Sequence, residues 1–492
     1  MKKIVIIGAG IAGLSTYHAL RKYVTPQNPS LQIVIYESHP SPSVTTSLIG
    51  GGLGLAPNGF RALNAIAPGA VKFIEERGFE CKEFVMRNQK GKKLGSMRHW
   101  EGGTKVGENG ERGFGMVMVA RGDVHWSLLK EEDGEKVEDV VRWGKRVKEI
   151  REEEDRVEVV FEDGEIEICD LVIGADGAWS KCREAIFGEE YQPKYDGLTG
   201  VGGFLPLNSI SPRLQEGLKE EAVTMTFSRS GFFGYSMCTN PSAPSEDQYL
   251  QWWSTYEAKT PLSKDAPLQE VRAQLLNRHG MWKSPYDTPG SSQLDVFPQI
   301  INLACSQAQK AQKDDMPGVE RSKWLILPRF MTPRLPHWTS LYGKSNKGSE
   351  EPGYGRIILV GDARNTMPPD SGQGVSCAVE DVLAVALLLK HLSKPQLGGT
   401  ETTEDEKKMD TDTLKKVAKA YEDIRLPRVG KILDDAQRRG EGKKDLGFFG
   451  EKIRDTALFI VSSLPTSIFA GTYTYDVEKE VDGYLAKQEW RW

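Results

Sequence analysis

The amino-terminal stretch KKIVIIGAGIAGLSTYHALRKY most constrains the fold, because closely spaced glycines separate an apolar run from a helix-like segment. The run Ile4–Ile7 is short, β-branched and uninterrupted, which is typical of a parallel strand buried on both faces. A second such run, LQIVIYE, follows the helix-like segment. The two lysines before the first run imitate a signal peptide, but the strand, turn and helix pattern accounts for the same residues. The sequence therefore predicts a βαβ unit and an α/β fold.

The glycines at 8, 10 and 13 have the spacing G-x-G-x-x-G between a strand and a helix. The first permits a tight turn, the second lets a pyrophosphate approach the helix N-terminus, and the third allows close helix–strand packing. A carboxylate at the end of the next strand can accept hydrogen bonds from a ribose diol. The pattern predicts a dinucleotide site without separating FAD from NAD, and a glycine-rich turn without a ligand is the alternative. The candidate contacts are Gly8, Gly10, Ile11, Ala12, Gly13 and Glu37.

The stretch GDARNTMPPDSGQG, residues 361–374, joins the apolar run RIILV to the helix-like segment VSCAVEDVLAVALLL. Asp362 follows the predicted strand and could bind a polyol hydroxyl. Pro368 and Pro369 make the backbone extended and rigid. Gly372 and Gly374 would expose N–H groups at the helix start, where the helix dipole stabilises negative charge on a flavin. The alternative is an ordinary strand, turn and helix cap.

A third motif, DLVIGADGAWSKCR, also follows a buried-strand pattern and contains Asp176 and Ser180. Asp176 is a candidate cofactor contact, and the alternative is a turn followed by a helix with Ser180 as its N-cap.

Composition excludes several classes of function. The 492 residues carry a net charge of −5, with basic residues dispersed along the chain, so we expect no nucleic-acid partner. Six cysteines without a CxxC motif predict no metal site, no disulfides and a cytoplasmic setting. The most apolar stretch, TALFIVSSLPTSIFAGTY, is interrupted by serines and a proline, so we predict no membrane span. We interpret it as a core or homodimer-contact segment, with shallow membrane contact as the alternative.

Together these motifs resemble the three signatures of the group A FAD-dependent monooxygenases, the aromatic hydroxylase-like flavoproteins. GGGLGLAPNGFRAL is similar to that family's flavin-contacting loop, which adds Gly51, and VARGDVHWSLL to its segment with an FAD-contacting arginine, here Arg121. MPPDSGQGV is similar to the tetracycline-inactivating members, and SRSGFFGY to fungal secondary-metabolism members. One departure is Arg364-Asn365, where the family usually has Ala-His.

The resemblance implies noncovalent FAD reduced by NADPH or NADH. Oxygen would add at the flavin C4a, and the hydroperoxide would deliver one atom to a small aromatic, polyketide- or alkaloid-like substrate. We expect hydroxylation, with epoxidation and Baeyer–Villiger insertion left open. The rival interpretations are a flavin oxidase or dehydrogenase, and a non-catalytic binding protein with a dinucleotide fold.

The predicted architecture is a Rossmann-like FAD-binding domain interleaved with a β-sheet substrate domain, followed by a C-terminal helical region. We assign residues 1–79, 102–190 and 321–395 to the first, residues 80–101 and 191–320 to the second, and residues 396–492 to a mobile loop and helices. The predicted cofactor contacts in the later motifs are Gly51, Arg121, Asp176, Asp362, Pro369, Gly372, Gly374 and Val375.

Aromatic side chains of the second domain could line the substrate pocket. Strand alternation places Phe233 and Tyr235 on one face and Phe232 on the other, so not all can contribute. The adjacent Trp252 and Trp253 are further candidates. Arg229 and Tyr235 are candidate catalytic residues that could assist deprotonation of a phenolic substrate, with ordinary sheet packing as the alternative.

Overall fold

The computed structural model describes residues 1–42, 51–98, 113–132, 135–314, 324–343, 353–392, 404–441, 443–465, 468 and 470–488. Its strands are β1 Lys3–Ile7, β2 Gln32–Tyr36, β3 Gly52–Leu55, β4 Phe79–Cys81, β5 Glu83–Asn88, β6 Lys93–Arg98, β7 Met116–Ala120, β8 Glu131–Glu132, β9 Glu135–Lys136, β10 Val141–Arg142, β11 Val147–Glu152, β12 Val157–Phe161, β13 Ile166–Cys169, β14 Leu171–Gly174, β15 Lys194–Pro206, β16 Val223–Ser228, β17 Gly231–Met237, β18 Tyr249–Glu257, β19 Leu325–Met331 and β20 Ile357–Leu359.

Its α-helices are α1 Ile11–Tyr23, α2 Pro57–Ile66, α3 Pro68–Arg77, α4 Arg121–Leu129, α5 Val137–Val140, α6 Lys181–Phe187, α7 Pro212–Glu220, α8 Leu268–His279, α9 Val296–Asp314, α10 Gly374–Leu392, α11 Glu404–Glu441, α12 Phe448–Ser463, α13 Ala470–Tyr473 and α14 Val477–Lys487.

A five-stranded sheet in the order β10-β2-β1-β14-β20 forms the centre of the first domain. All its pairings are parallel, as continuous apolar runs flanked by helices predict. Helix α1 packs against α10, and both contribute to the large core that surrounds this sheet. The sequence motifs at residues 8–13, 175–183 and 361–374 follow β1, β14 and β20. They therefore lie at the carboxyl ends of neighbouring strands, where open α/β sheets bind ligands.

A seven-stranded sheet in the order β19-β15-β18-β17-β16-β5-β6 forms the second domain. Its neighbours pair antiparallel except β16 and β5, which are parallel. One face is covered by α8 and α9, whose Val271, Leu275, Phe297 and Ile300 pack with residues from β15, β17 and β18. The opposite face is turned toward β7 and the C-terminal helices.

Two details differ from the expected domain limits. Residues 325–331 lie within the predicted FAD-binding domain, but they form β19, which pairs with β15 and so belongs to the seven-stranded sheet. The segment KPQLGGTETTEDEKKMDTDT, expected to be a mobile loop, continues into α11 from residue 404 onward, and residues 393–403 lie outside the described residues. The polar composition of α11 gives it little stability as an isolated helix. Packing against α10 stabilises it.

The C-terminal helices are attached to both domains. Tyr421 of α11 donates to the carbonyl oxygen of Leu359 at 2.9 Å, and Glu422 accepts from the backbone N–H of Trp338 at 2.8 Å. Helix α12 packs against β6. Among the helices in the described ranges, none combines the length and apolar character that crossing a bilayer requires. All six cysteines are buried thiols outside any disulfide.

Candidate functional site

The three glycine-containing motifs meet in one place. Gly8 has φ +103°, and a Cβ there would lie 2.5 Å from the carbonyl oxygen of Ala175 in the second motif. A Cβ on Gly13 would lie only 1.8 Å from the carbonyl oxygen of Gly8. These two positions therefore require glycine for packing, independently of any ligand.

Gly10 differs from its two neighbours, because a Cβ there would meet no atom within 4 Å. It is the N-cap of α1, and no side chain caps the helix. Its backbone faces open space beside the unsatisfied N–H groups of the first turn, including those of Ile11 and Ala12. This is the arrangement that a pyrophosphate fits.

Glu37 lies at the end of β2 and is buried beside this turn. Its carboxylate accepts hydrogen bonds from the backbone N–H groups of Ala9, at 2.7 Å, and His39, at 2.9 Å. His125 completes the support, because its Nε2 lies 2.8 Å from the carbonyl oxygen of Ala9. Glu37 therefore positions the glycine turn, and its contact with a ribose hydroxyl stays a prediction.

Asp176 shares the helix-capping role that the sequence predicts for Ser180. Its Oδ2 accepts from the backbone N–H groups of Lys181, at 2.7 Å, and Cys182, at 3.1 Å, at the start of α6. Ser180 is the N-cap of the same helix and accepts from the N–H of Arg183 at 2.9 Å. Burial raises the pKa of Asp176 above its ordinary value.

Arg183 joins the second motif to the third. Its side chain is buried, and Nη1 donates to the carbonyl oxygen of Ala363 at 2.8 Å while Nη2 donates to that of Ala178. The third motif also contacts the first, because Gly361, which has φ +60°, packs against Ala12.

Asp362 and the loop that follows it present groups to the open side of this junction. Asp362, Pro369 and Gly372 are exposed. Gly372 has φ +61°, and a Cβ there would meet no atom within 4 Å. Gly374 and Val375 begin α10. These exposed backbone and carboxylate groups fit a flavin and its ribityl chain.

Gly51 and Arg121 lie together where β3 begins and β7 ends. The backbone N–H of Arg121 donates to the carbonyl oxygen of Gly51 at 2.9 Å, which closes the ladder between β3 and β7. Arg121 is exposed at the first position of α4. Its guanidinium is therefore accessible to a ligand, as the resemblance implies.

A buried network of charged side chains contacts the loop at residues 361–374, which we call the cofactor loop. We call the network the arginine–carboxylate cluster. Asp381 pairs with Arg364 at 2.5 Å and with Arg425 at 3.0 Å. Glu380 pairs with Arg425 at 2.7 Å and with Arg428 at 2.8 Å. The cluster thus connects the cofactor loop, α10 and α11.

The arginines of the cluster lower the pKa of Glu380. Burial alone would raise the pKa of Glu380, but Arg425 and Arg428 hold it below its ordinary value. Asn58 of α2 donates to Glu380 at 2.7 Å and to Gln373 at 2.9 Å, so the network also reaches the residue before α10. Glu380 is therefore charged, and both Glu380 and Asp381 are paired with arginines. Neither acid was predicted as a site residue, although two adjacent acids in a long apolar run were a signal.

The face of the seven-stranded sheet that α8 and α9 leave uncovered, which we call the open face, approaches the cofactor side of the molecule at one end. Phe204 packs with Ala120, and Trp253 packs in a cluster with Met116 and Met118 of β7. Gln251 is buried and touches Gly52, where a Cβ would lie 1.3 Å from its Oε1. This oxygen has no hydrogen-bond partner among the described residues. Neither Gln251 nor Phe204 was predicted from the sequence as a site residue.

The candidate catalytic residues lie elsewhere. Tyr235, like Phe233 and Trp252, packs on the face that α8 and α9 cover. Arg229 is exposed in the turn between β16 and β17, at the end of the sheet remote from the Ser236–Gln251 pair. The five or more intervening residues of strand correspond to roughly 20 Å. Neither placement supports contact with a substrate beside the cofactor loops. Trp253 lies on the open face, and so does Phe232, but Phe232 is fully buried beside Leu458 of α12.

Comparisons with known proteins agree with this geometry. A family model described as an FAD binding domain matches residues 75–300 and 323–401, which is more than half of the chain. A model described as an NAD(P)-binding Rossmann-like domain matches residues 6–71.

An FAD-dependent monooxygenase of Gibberella moniliformis is 24% identical over 447 residues, covering 88% of this chain and 85% of that protein. A salicylate hydroxylase of Pseudomonas putida is 23% identical over 447 residues, covering 89% and 85%. Two solved structures share the fold. Klebsiella pneumoniae HpxO with FAD and uric acid has a TM-score of 0.66 at 19% identity, covering 98% of this chain and 97% of HpxO. CtdE with FAD and substrate has a TM-score of 0.68 at 17% identity, covering 99% and 98%.

The expectations of a Rossmann-like α/β fold, of bound FAD and of a monooxygenase are thus confirmed. The chain belongs to the FAD binding domain family, and it is an FAD-dependent monooxygenase that takes electrons from NADPH or NADH.

Proposed function

We propose that this enzyme hydroxylates a small aromatic, polyketide- or alkaloid-like molecule held between the cofactor loops and the open face of the seven-stranded sheet. The observation that carries the proposal is the contact of Gln251 with Gly52, because it brings an amide group to the boundary between the two domains. The relatives named salicylate hydroxylase and 6-hydroxynicotinate 3-monooxygenase support an aromatic substrate by their names.

The cofactor would be held by groups from four segments. The N-terminus of α1 at Gly10 would bind the pyrophosphate, Glu37 the adenosine ribose, and Asp362 the ribityl chain. Arg121 and the backbone from Pro369 to Val375 would hold the flavin, with the start of α10 stabilising negative charge on the ring. Bound FAD supplies the electron transfer and the oxygen chemistry.

The chain's own residues would bind and orient the substrate and exclude water. Phe204 and Trp253 offer apolar surface for an aromatic ring, and Met116 and Met118 adapt to its shape. The amide of Gln251 can hydrogen-bond one polar substituent and so set which carbon faces the flavin. Buried apolar walls also keep water from the reacting atoms.

The six buried thiols support a cytoplasmic location. A small-molecule substrate and O2 are the partners that the family implies, and no nucleic acid is among them.

The first experiment is the visible spectrum of the purified protein before and after anaerobic NADPH, followed by turnover of a panel of phenols and polycyclic aromatics under ¹⁸O₂. We expect a yellow protein that bleaches, faster when a substrate is present, and a product carrying one labelled atom. A flavin that is never reduced by either nicotinamide, or a product without label, would overturn the proposal in favour of an oxidase.

A further inference from the structure

Helix α12 presents an apolar face to solvent that nothing in the described chain covers. Phe449, Ile453 and Ile460 recur at intervals of four and seven residues and are 80%, 71% and 54% exposed. They therefore lie along one side of the helix. The other large exposed apolar residues of this segment are Phe448, Phe459, Leu464 and Ile468. We call this set the α12 ridge.

The opposite side of α12 is firmly seated, so the ridge has a fixed orientation. Leu458 packs with Met86, Phe227 and Phe232 of the seven-stranded sheet. Arg454 donates to the carbonyl oxygen of Ser228 at 2.6 Å. Because these contacts hold one side of α12 against the sheet, the ridge on the other side faces away from it.

Lysines are prominent among the charges near the ridge, and the exposed acid Asp445, just before α12, pairs with Arg278 at 3.2 Å. Lys90, Lys92 and Lys93 are exposed in and beside the turn between β5 and β6. Gln89 of the same turn donates to Glu451 at 3.0 Å, which places these lysines beside the first turn of α12.

The charges on α12 itself extend this pattern. Lys452 is exposed, and its Nζ lies 5.8 Å from the ring centroid of Phe448. The acids are turned inward, because Glu451 is buried and Asp455 pairs with Arg454 at 2.8 Å.

We propose that the α12 ridge docks on an anionic lipid surface, with the helix lying in the plane of the membrane. An exposed apolar helix face bordered by lysines is the combination that binds such surfaces. The helix is about 24 Å long, which suits an interfacial position and is too short to span a bilayer. A second copy of the chain is a poorer occupant, because a symmetric contact would bring both lysine clusters together. This is the shallow membrane contact that the sequence left open for residues 456–473.

The α12 ridge lies close to the sheet face that we propose for substrate binding. Leu458 contacts, from the inner side of the same helix, the sheet face that we propose for substrate binding. Docking would therefore bring that side of the enzyme to the bilayer, within reach of lipophilic molecules.

The test is flotation of the FAD-loaded full chain with vesicles of phosphatidylcholine alone and of phosphatidylcholine with phosphatidylserine. We expect flotation with the anionic vesicles, reduced by high salt. The variant Phe449→Ser/Ile453→Ser/Ile460→Ser should lose binding by about tenfold or more, since three buried apolar side chains are removed from the contact. Lys90→Glu/Lys92→Glu/Lys93→Glu should remove the preference for anionic lipid.

The matched control is Ile166→Ser/Ile168→Ser on β13, where both side chains are 53% exposed on another surface. It should float like the unaltered enzyme. FAD content and melting temperature must be unchanged in the ridge variant, which separates lost docking from misfolding. A wild-type enzyme that floats with neither vesicle, or a ridge variant that floats equally well, would overturn the proposal. A dimer that light scattering detects and the ridge variant dissociates would also overturn it, in favour of a second copy.

Discussion

Arg364 and Asp381 form an ion pair that solvent does not reach, with Nε 2.5 Å from Oδ2. The Arg364 guanidinium also lies over the ring of Trp338, 4.6 Å from its centroid. Asp381 accepts in addition from the N–H of Gly361 at 3.2 Å. The residue that departs from the resembled family's Ala-His pattern is therefore part of the structure that holds the cofactor loop.

Removing the Asp381 charge should strongly lower the free energy of unfolding. Asp381→Asn leaves the Arg364 guanidinium buried without its anion, and breaking a buried pair in this way costs about 3–5 kcal/mol. Arg364→Met should cost less, because Asp381 keeps Arg425 at 3.0 Å. Urea unfolding of the three proteins measures the difference. Asp434→Asn, which breaks the exposed Arg334–Asp434 pair, is the control and should lie within about 1 kcal/mol of wild type. Equal effects at the two buried positions would contradict this account.

The glycines of the first motif should separate into two kinds. Gly10→Val adds a side chain in open space and should leave the apoprotein stable while weakening FAD binding. Gly13→Val drives a Cβ into the Gly8 carbonyl oxygen and should cost about 3 kcal/mol or more, or prevent folding. Apoprotein melting temperature and FAD titration distinguish the two. Unchanged FAD affinity in the Gly10 variant would refute the pyrophosphate assignment.

Asp362→Ala should lower FAD content without unfolding the protein. The exposed carboxylate has the position to accept a ribityl hydroxyl, and a hydrogen bond to a charged group is worth about 1.5–3 kcal/mol, or roughly 10–100-fold in affinity. Fluorescence titration with FAD measures the change. Asp163→Ala, at another exposed Asp in a hairpin turn, should bind FAD normally.

Gln251→Leu tests the substrate side. The substitution keeps the volume near Gly52 and removes the amide, so FAD content should stay at the wild-type level. Losing one hydrogen bond should raise KM about fivefold for the substrate identified by screening, with about 1 kcal/mol of binding lost. Product analysis should also show loss of position selectivity. Met225→Leu, on the same sheet, is the matched control.

Stability should fall in mild acid. Burial lowers the pKa of His279 from 6.5 to about 3, with Arg278 adding to the effect, and burial also lowers the pKa of His125. Because the unfolded chain takes up these protons first below about pH 6.5, each histidine costs up to about 1.4 kcal/mol per pH unit.

Thermal unfolding between about pH 7.5 and about pH 5.5 measures this dependence. His279→Asn should have a visibly smaller drop in melting temperature over that range. The exposed His391→Asn should behave like wild type. An unchanged pH profile in the His279 variant would exclude that residue as a cause.

Local patterns predicted the first domain well. The apolar runs around β1, β2, β14 and β20 and the glycines between them have one physical solution, a parallel sheet with loops at its carboxyl edge. The loops meet because their strands are neighbours. Predicting the position of the site therefore required little more than the strand order.

The second domain was harder to predict, because alternation along a strand separates two faces without saying what covers each. Tyr235 and Gln251 lie on adjacent paired strands, yet one packs under α8 and α9 and the other meets Gly52. The arginine–carboxylate cluster depends on contacts between residues far apart in sequence, such as Arg425 with Asp381. No local pattern encodes such a pairing.

Helix α11 has a consequence for how the enzyme is made. The loop at residues 361–374 is complete only when Arg425 and Arg428 have paired with α10, and Glu422 has fixed the segment at Trp338. A ribosome releases that loop well before it releases α11. The growing chain therefore carries its glycine motifs for some time before it has a settled place for the flavin. We therefore expect cofactor loading to be a late step in synthesis, and a chain that ends before α11 to bind FAD weakly although it carries every signature sequence.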